Sequence, residues 1–510
     1  MTFTFTSQYR PHLQVFMMRK IEYKWIALFV TTIGAMMVAI DSTIVILGLP
    51  AMLQDLHSNL VRMTWVLMAY LLVSTALLLT FGRMADMFGR VRMYNLGFIV
   101  FTLGSVACGL SQSDTMLIAS RVIQGLGGAM LLANSMAIIT EVFPARQRGM
   151  AMGFNAITWG AGSVLGPVLG GLILATTSWR WIFLVNLPIG IVATLLAYLL
   201  LHDIAPNPKG ERFDILGAVL FSVGLVALLL AITGGIGSGW LTPPILALFA
   251  LAVVSLALFI IRERRITYPM LDLSLFENRT YAFSVAAATL QSLAIFAVNF
   301  LLIFYLQGVR AYSPLTAALL ILPMPLVSSI VGPLSGRWAD RIGGMLPATL
   351  GLVAQSLALL ALFTLTPTTP YPVLALSLTL MGIGSGLFWS PNTSTAMGAA
   401  PRNRLGIASA TLGTMRNVGM VFSFAVALAV AAASMPPAIM NAVFLGTVGH
   451  LAPSISADFT TGMVHAFLTS VLICALAIVC SLMRGGRQSQ PTASPSQVDD
   501  GAAMQPAGRR

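Results

Sequence analysis

Long apolar runs recur along almost the whole chain, each broken by a short stretch carrying charge, proline or glycine. A helix needs about 20 apolar residues to cross a hydrocarbon core of roughly 30 Å. Fourteen stretches are that long: residues 25–48, 64–81, 93–111, 116–140, 150–176, 181–201, 213–234, 241–261, 282–306, 315–335, 347–365, 373–396, 407–433 and 463–483. The pattern predicts an all-α polytopic membrane protein with 14 transmembrane helices. Only a glycine-rich loop, Gly234–Pro244, separates the seventh span from the eighth.

The basic residues orient these spans, because Lys and Arg collect in cytoplasmic loops. With the N-terminus inside, 23 of the 28 Lys and Arg residues fall in cytoplasmic segments. Only Arg62, Arg180 and Arg310 fall outside, and Arg121 and Arg416 lie within spans. The expected location is a plasma (inner) membrane, with both termini cytoplasmic. The stretch before the first span is polar and Thr-rich and shows no small-residue cleavage site, so no secretory signal is expected. Met17 and Met18, just before Arg19-Lys20, are alternative starts. The tail after Arg484 is rich in Ser, Gln, Pro and Gly and is expected to be disordered.

Composition removes the other classes. Of 510 residues, 57% are hydrophobic and 9% charged. A soluble domain carries about 25% charged residues. The net charge of +12 reflects basic loops, so nucleic acid is not an expected partner. Three cysteines without a CxxC or Cys/His cluster give neither a disulfide framework nor a metal site. No Walker A sequence is present, so ATP hydrolysis is not the energy source. An intramembrane enzyme needs paired acids or a His/Cys/Asp set inside spans. Asp41 is the only acid well inside a span, and the five histidines fall in loops or near span ends. No catalytic residue and no cofactor are expected. A sensor needs an output domain, for which the tails are too short. Transport remains.

The chain also repeats itself. Gly82-x-x-x-Asp86-x-x-Gly89-Arg90 follows the second span, and Gly336-x-x-x-Asp340-Arg341-x-Gly343 follows the tenth, 254 residues later. Gly128 and Asn134 on the fourth span match Gly386 and Asn392 on the twelfth, offset by 258. Pro144…Gly149-x-Ala151 and Pro401…Gly406-x-Ala408 open the fifth and thirteenth spans, offset by 257. Near-equal offsets imply two six-helix pseudo-repeat bundles, with spans seven and eight as an inserted hairpin. Parallel repeats around a midplane site are a transporter architecture. The expected organisation is a cytoplasmic tail (1–24), a six-helix bundle (25–201), the inserted pair with its linkers (202–281), a second bundle (282–483) and a disordered cytoplasmic tail (484–510).

In the loop Gly82–Arg92, glycines allow a tight turn. Asp86 is expected near the start of the next helix, where the dipole favours an anion. Arg90 and Arg92 are placed to bind Asp86 or the neighbouring helix end. Recurrence at Gly336, Asp340 and Arg341 argues for a pair of gating latches over an ordinary basic loop. The loop resembles the signature of the major facilitator superfamily. Arg121-x-x-Gln124-Gly125-x-Gly127-Gly128-Ala129 is similar to that family's second motif, and Gly160-x-Gly162-x-x-x-Gly166-Pro167-x-x-Gly170-Gly171 to its antiporter motif. Asp41–Pro50 and Trp179–Gly190 resemble its fourteen-helix drug/proton antiporter branch, the EmrB/QacA type. The resemblance covers roughly residues 24–484. One departure is Ile46, where the family usually carries Asn.

The resemblance implies a major facilitator fold. It implies a secondary active exporter that exchanges protons for small amphipathic or drug-like compounds by alternating access. Such a protein acts as a monomer in a lipid bilayer, and a periplasmic adaptor stays open as a partner. A metabolite exporter or an importer of the same fold is the alternative, and the antiporter-type motif argues against import.

The residues themselves point the same way. A carboxylate within a span costs roughly 2.5–3.5 kcal/mol on insertion scales. At 1.5 Å per residue, Asp41 lies about 24 Å above the inner face and Arg121 roughly 22 Å above it. Equal depth makes Arg121 the expected partner and the pair the expected proton-coupling site. Gln124, Gly128 and Ser135 share the face of Arg121. Gln291 and Asn299 share a face of span nine, and Trp389 and Asn392 are neighbours on span twelve. These polar groups, with Arg416, are candidate cavity residues. For Gln291, Asn299 and Asn392, interhelical hydrogen bonding is the equal alternative. Arg416 has no acidic partner at matching depth, which leaves an anion, backbone carbonyls or span-end groups to bind it. Gly162, Gly166 and Gly170 form a smooth face for close packing or rocking, and Pro167 is expected to kink it. Trp179 and Trp181 are expected as interface anchors. The 28 methionines suit adaptable apolar surfaces.

Overall fold

The computed structural model describes residues 22–203, 214–266, 269–401, 405–433 and 453–484. The expectations for the two tails, and for Lys209, Arg212, Arg402 and Arg404, fall outside the described residues. Among those described there is no strand.

The chain forms α1 (Tyr23–Asp55), α2 (Leu60–Phe88), α3 (Arg90–Gly109), α4 (Asp114–Val142) and α5 (Ala145–Thr176). Next come α6 (Arg180–Leu200, interrupted at Val185), α7 (Ile215–Ser238) and α8 (Pro243–Glu263). α9 (Arg279–Phe304) runs on into a π-helical turn, Tyr305–Val309, and α10 consists of Pro314–Ile321 and Pro323–Ile342. α11 (Met345–Phe363), α12 (Tyr371–Ala399), α13 (Leu405–Ala433) and α14 (Pro453–Leu482) complete the order. Thirteen of these are long and apolar enough to cross a membrane. The other, α13, has 29 residues and packs along α9, α2 and α14.

Helices satisfy the backbone internally, which an apolar surrounding demands. Some of their first turns are capped by side chains. Asn59 accepts from the Arg62 amide, Ser113 from Met116, and Asn278 from Thr280 and Tyr281.

The packing repeats between the halves. α3 packs on α4, α2 on α4, α1 on α5 and α3 on α6. In the second half α11 packs on α12, α10 on α12, α9 on α13 and α11 on α14. The halves meet along two related seams, α5 against α10 and α13 against α2. The hairpin α7–α8 sits beside the second seam, where α7 touches both α2 and α13. The buried Asp214 carboxylate ties the hairpin's ends together by accepting from the Gly217 amide and from Arg262 Nε, at 2.9 and 2.8 Å. α8 turns Leu251, Val253, Val254 and Leu258 outward, the apolar surface expected against lipid.

Two local expectations are corrected. The turn after α2 is the single residue Gly89, whose φ of 104° favours glycine. Nothing in Arg83–Phe88 breaks the helix earlier, so Asp86 lies in the last turn of α2 and not at the start of α3. The start of α3 is met instead by Asp203, whose Oδ1 accepts from the Val91 amide at 2.7 Å. The related position Asp340 likewise lies within α10, which ends at Gly343 (φ 90°). The side chains of Asp86 and Asp340 fall outside the described residues. Trp179 is no interface anchor, being only 3% exposed, with Nε1 donating to Asp55 Oδ2 at 2.9 Å. Trp181, 54% exposed, has the surface position expected of one.

The three arginines assigned to outer segments are all neutralised or capped. Arg62 pairs with Asp114 at 3.0 Å and Arg180 with Asp55 at 2.7 Å. Arg310 donates to the Thr369 carbonyl at 2.7 Å.

Candidate functional site

α1 carries Asp41 into the interior of the first bundle, opposite α4. Arg121 Nη1 reaches its Oδ2 at 2.7 Å. The other carboxylate oxygen accepts from Gln124 Nε2 at 2.8 Å and from Asn186 Nδ2 at 3.3 Å. Arg121 Nη1 also donates to Gln124 Oε1 at 2.6 Å, and Nε donates to the Val66 carbonyl at 3.0 Å. Its guanidinium lies over the Tyr70 ring, 4.3 Å from the centroid, a cation–π contact. Ser105 Oγ closes the network. It receives Gln124 Nε2 and Asn186 Nδ2 at 3.1 and 3.0 Å and donates to the Phe183 carbonyl at 2.9 Å.

Asp41, Ser105, Gln124 and Asn186 have no exposed surface, and Arg121 has 1%. Two charges withdrawn from water each cost several kcal/mol unless hydrogen bonds satisfy the remaining lone pairs and protons. Five helices supply those bonds here: α1, α2, α3, α4 and α6. Chemically, the negative charge of Asp41 is what the donors of Arg121, Gln124 and Asn186 converge on. A proton on Asp41 would remove the attraction to Arg121 and turn one acceptor into a donor.

Nothing in the sequence singles out Ser105 or Tyr70, and Asn186 lies within the Trp179–Gly190 motif. Small hydroxyls and single aromatics are common in spans, so nothing marks these by type. Asn186 carried the one usable signal, a carboxamide deep in an apolar run. Ile46 is buried in the apolar core, in keeping with the loss of a polar group there.

The other candidates separate. Gln291 Nε2 donates to Gln355 Oε1 at 3.3 Å, and Gln355 Nε2 to Ser385 Oγ at 2.8 Å, inside the second bundle. Asn392 donates to the Ser284 carbonyl at 3.3 Å and accepts from Arg484. Burial pushes that arginine down to about 10. Gln124, Gln291 and Asn392 are thus held by neighbouring helices. Asn299 and Trp389 are partly exposed. Arg416 is also partly exposed and stands over the Trp389 ring, 5.5 Å from its centroid.

The glycine face of α5 packs within its own bundle. A Cβ at Gly170 would meet Ile44 at 2.8 Å, one at Gly166 would strike the Thr43 hydroxyl, and Gly162 lies against Ala39. The contacts to the other half come from Gly160, against Ser329, and Gly171, against Leu315. Pro167 lies inside α5, between Gly166 and Gly170.

At the Gly89 turn, Arg90 Nη1 reaches Glu141 Oε2 at 3.2 Å. Gly82 and Gly336 lie within α2 and α10, and a Cβ at Gly336 would meet Ser390 Oγ at 2.7 Å. Arg341 is exposed in the last turn of α10.

Comparison with known proteins bears on the family and the fold. Residues 31–424 match the family described as Major Facilitator Superfamily. The chain is 33% identical over 404 residues to the riboflavin transporter RibZ of Clostridioides difficile, covering 79% of this chain and 87% of that one. It is 35% identical over 409 residues to the multidrug resistance protein Stp of Mycobacterium tuberculosis, covering 80% and 76%. A bacterial homologue of the human lysosomal transporter Spinster, solved inward-facing and unoccupied, superposes with a TM-score of 0.62 at 16% identity, over 90% of this chain and 97% of that one.

Proposed function

Since the chain belongs to the major facilitator superfamily, whose members are membrane transporters and not enzymes, we propose that it is a proton-driven exporter of small amphipathic compounds. The observation that carries this reading is the buried Asp41–Arg121 pair, held by Gln124 and Asn186. A single ionisable acid sealed inside a span is a functional group before it is a structural one, because an apolar pair would be cheaper to bury.

The two bundles, 25–201 and 282–483, would rock about the paired seams. With the site open outward, a proton reaches Asp41 and loosens its hold on Arg121. Opening inward lets the proton leave, and the ion pair forms again as substrate enters. Gly82, Asp86, Gly89 and Arg90, with Gly336, Asp340 and Arg341, would act as gating elements at the Arg-rich ends of α2 and α10. The hairpin α7–α8 and the motifs at Asp41–Pro50 and Trp179–Gly190 support membership of the fourteen-helix branch. The antiporter-type motif Gly160–Gly171 and the likeness to Stp support export. The charge split supports a plasma membrane location with cytoplasmic termini, and the protein would work as a monomer.

The experiment is transport in proteoliposomes carrying an imposed pH gradient. Drug-like compounds are expected to move against their own gradient and to stop when a protonophore is added. Transport indifferent to the protonophore would refute the proton-driven reading.

A further inference from the structure

Arg416 is a charged side chain deep in a span that the Asp41 network does not use. It lies on α13 one turn after Gly413, whose open side faces Leu78 of α2 across the seam between the halves, 3.6 Å from where a Cβ would be. It therefore flanks the surface that alternating access would open. Its Nε has no hydrogen-bond partner, and no carboxylate of the described residues comes within 4 Å of it. Its guanidinium is held over Trp389 of α12, 5.5 Å from the ring centroid. In the other half of the protein, Asp41 and Arg121 neutralise each other. α12 and α13 carry no other charged side chain of their own, so Arg416 places a positive charge on the wall they form, beside the Trp389 ring. Unpaired charge at this depth is costly and marks a ligand or ion path.

From this geometry we infer that Arg416 and Trp389 form a substrate subsite that selects aromatic weak acids in their ionised form. The inference rests on the transporter reading above and deepens it. The guanidinium fork matches a carboxylate or sulfonate with two parallel hydrogen bonds, which a lysine ammonium does not. The partly exposed Trp389 ring supplies the aromatic surface beside the guanidinium against which the substrate's own ring packs. Lipophilic cations meet like charge at the same place and are disfavoured.

The test uses three probes of one shape: 2-naphthoate, 2-naphthamide and 2-naphthylmethylammonium. Equilibrium binding is measured on the purified full chain in detergent, and transport on the same chain in proteoliposomes. Wild type is expected to bind the acid about tenfold or more tighter than the amide, the range of a charge-assisted hydrogen bond. Arg416→Gln is expected to abolish that preference while amide binding stays within about twofold. Arg416→Lys is expected to keep part of it, and Trp389→Leu to weaken acid and amide alike. An unchanged acid-to-amide ratio in Arg416→Gln, preference of wild type for the ammonium, or no binding of the acid would each overturn the subsite. If the binding pattern holds but no probe responds to a pH gradient, the proton-driven reading fails and the subsite stands. If instead the ammonium is pumped, the subsite fails and the exporter stands.

Discussion

Asp41 and Arg121, 80 residues apart in the chain, meet at 2.7 Å in a space closed to solvent. Each is the other's principal compensation for leaving water, and Gln124 bridges both by donating to the carboxylate and accepting from the guanidinium. The pair is therefore costly to break from one side and cheap to remove from both.

Arg121→Ala leaves the carboxylate buried and unpaired, and the expected loss of stability is about 3–5 kcal/mol. Adding Asp41→Asn to it is expected to recover most of that loss, because the stranded charge is gone. Thermal unfolding in detergent of the two single variants and the double variant checks this. A double variant no more stable than Arg121→Ala would show that the two residues are not energetically coupled.

The glycine face of α5 gives a stability prediction with its own control. Gly166→Ala and Gly170→Ala force a methyl group into Thr43 and Ile44, and overpacking of this kind costs about 1–3 kcal/mol. Gly398→Ala, near the end of α12, where a Cβ meets nothing within 4 Å and no proline follows directly, is expected to be neutral or slightly stabilising. Equal behaviour of the three variants in the same unfolding assay would contradict the packing described.

Asp203 holds the first turn of α3 through the Val91 amide. Asp203→Ala is expected to cost about 0.5–2 kcal/mol, as the loss of a helix cap does. Faster hydrogen exchange is expected over Val91–Met93, with the Asp41 network unaffected. No change in exchange at those amides would remove Asp203 from this role.

Orientation is open to a chemical check. In a Cys480→Ser background, Gly239→Cys sits in the turn between α7 and α8 and is expected to react with a membrane-impermeant thiol reagent added outside intact cells. Reaction only after permeabilisation would reverse the proposed topology.

Most of the architecture was legible because membrane spans obey a length rule. The stretch 93–111 corresponds to Arg90–Gly109 and 241–261 to Pro243–Glu263. The near-constant offset between motifs corresponds to the repeated packing of α1–α6 and α9–α14. Rise per residue sets Asp41 and Arg121 at one depth, but depth carries no azimuth. Which side of each helix faces which neighbour is fixed by tertiary packing. That is why Ser105, Asn186 and Tyr70 went unassigned, and why Gln291 and Asn392 could not be told apart from cavity residues. Asp203 was invisible for a related reason. Its helix-capping partner lies 112 residues away in the chain, whereas sequence patterns register caps only locally.

The measurement that bears most directly on the proposed mechanism is proton release by the detergent-solubilised protein when substrate is added at weak buffering. Wild type is expected to release protons on binding, as substrate favours the state in which Asp41 is paired with Arg121. Asp41→Asn is nearly isosteric; it is expected to lose stability by leaving Arg121 without its counter-charge, yet to fold and bind substrate and to release none. Release that persists undiminished in Asp41→Asn would mean that another group carries the proton.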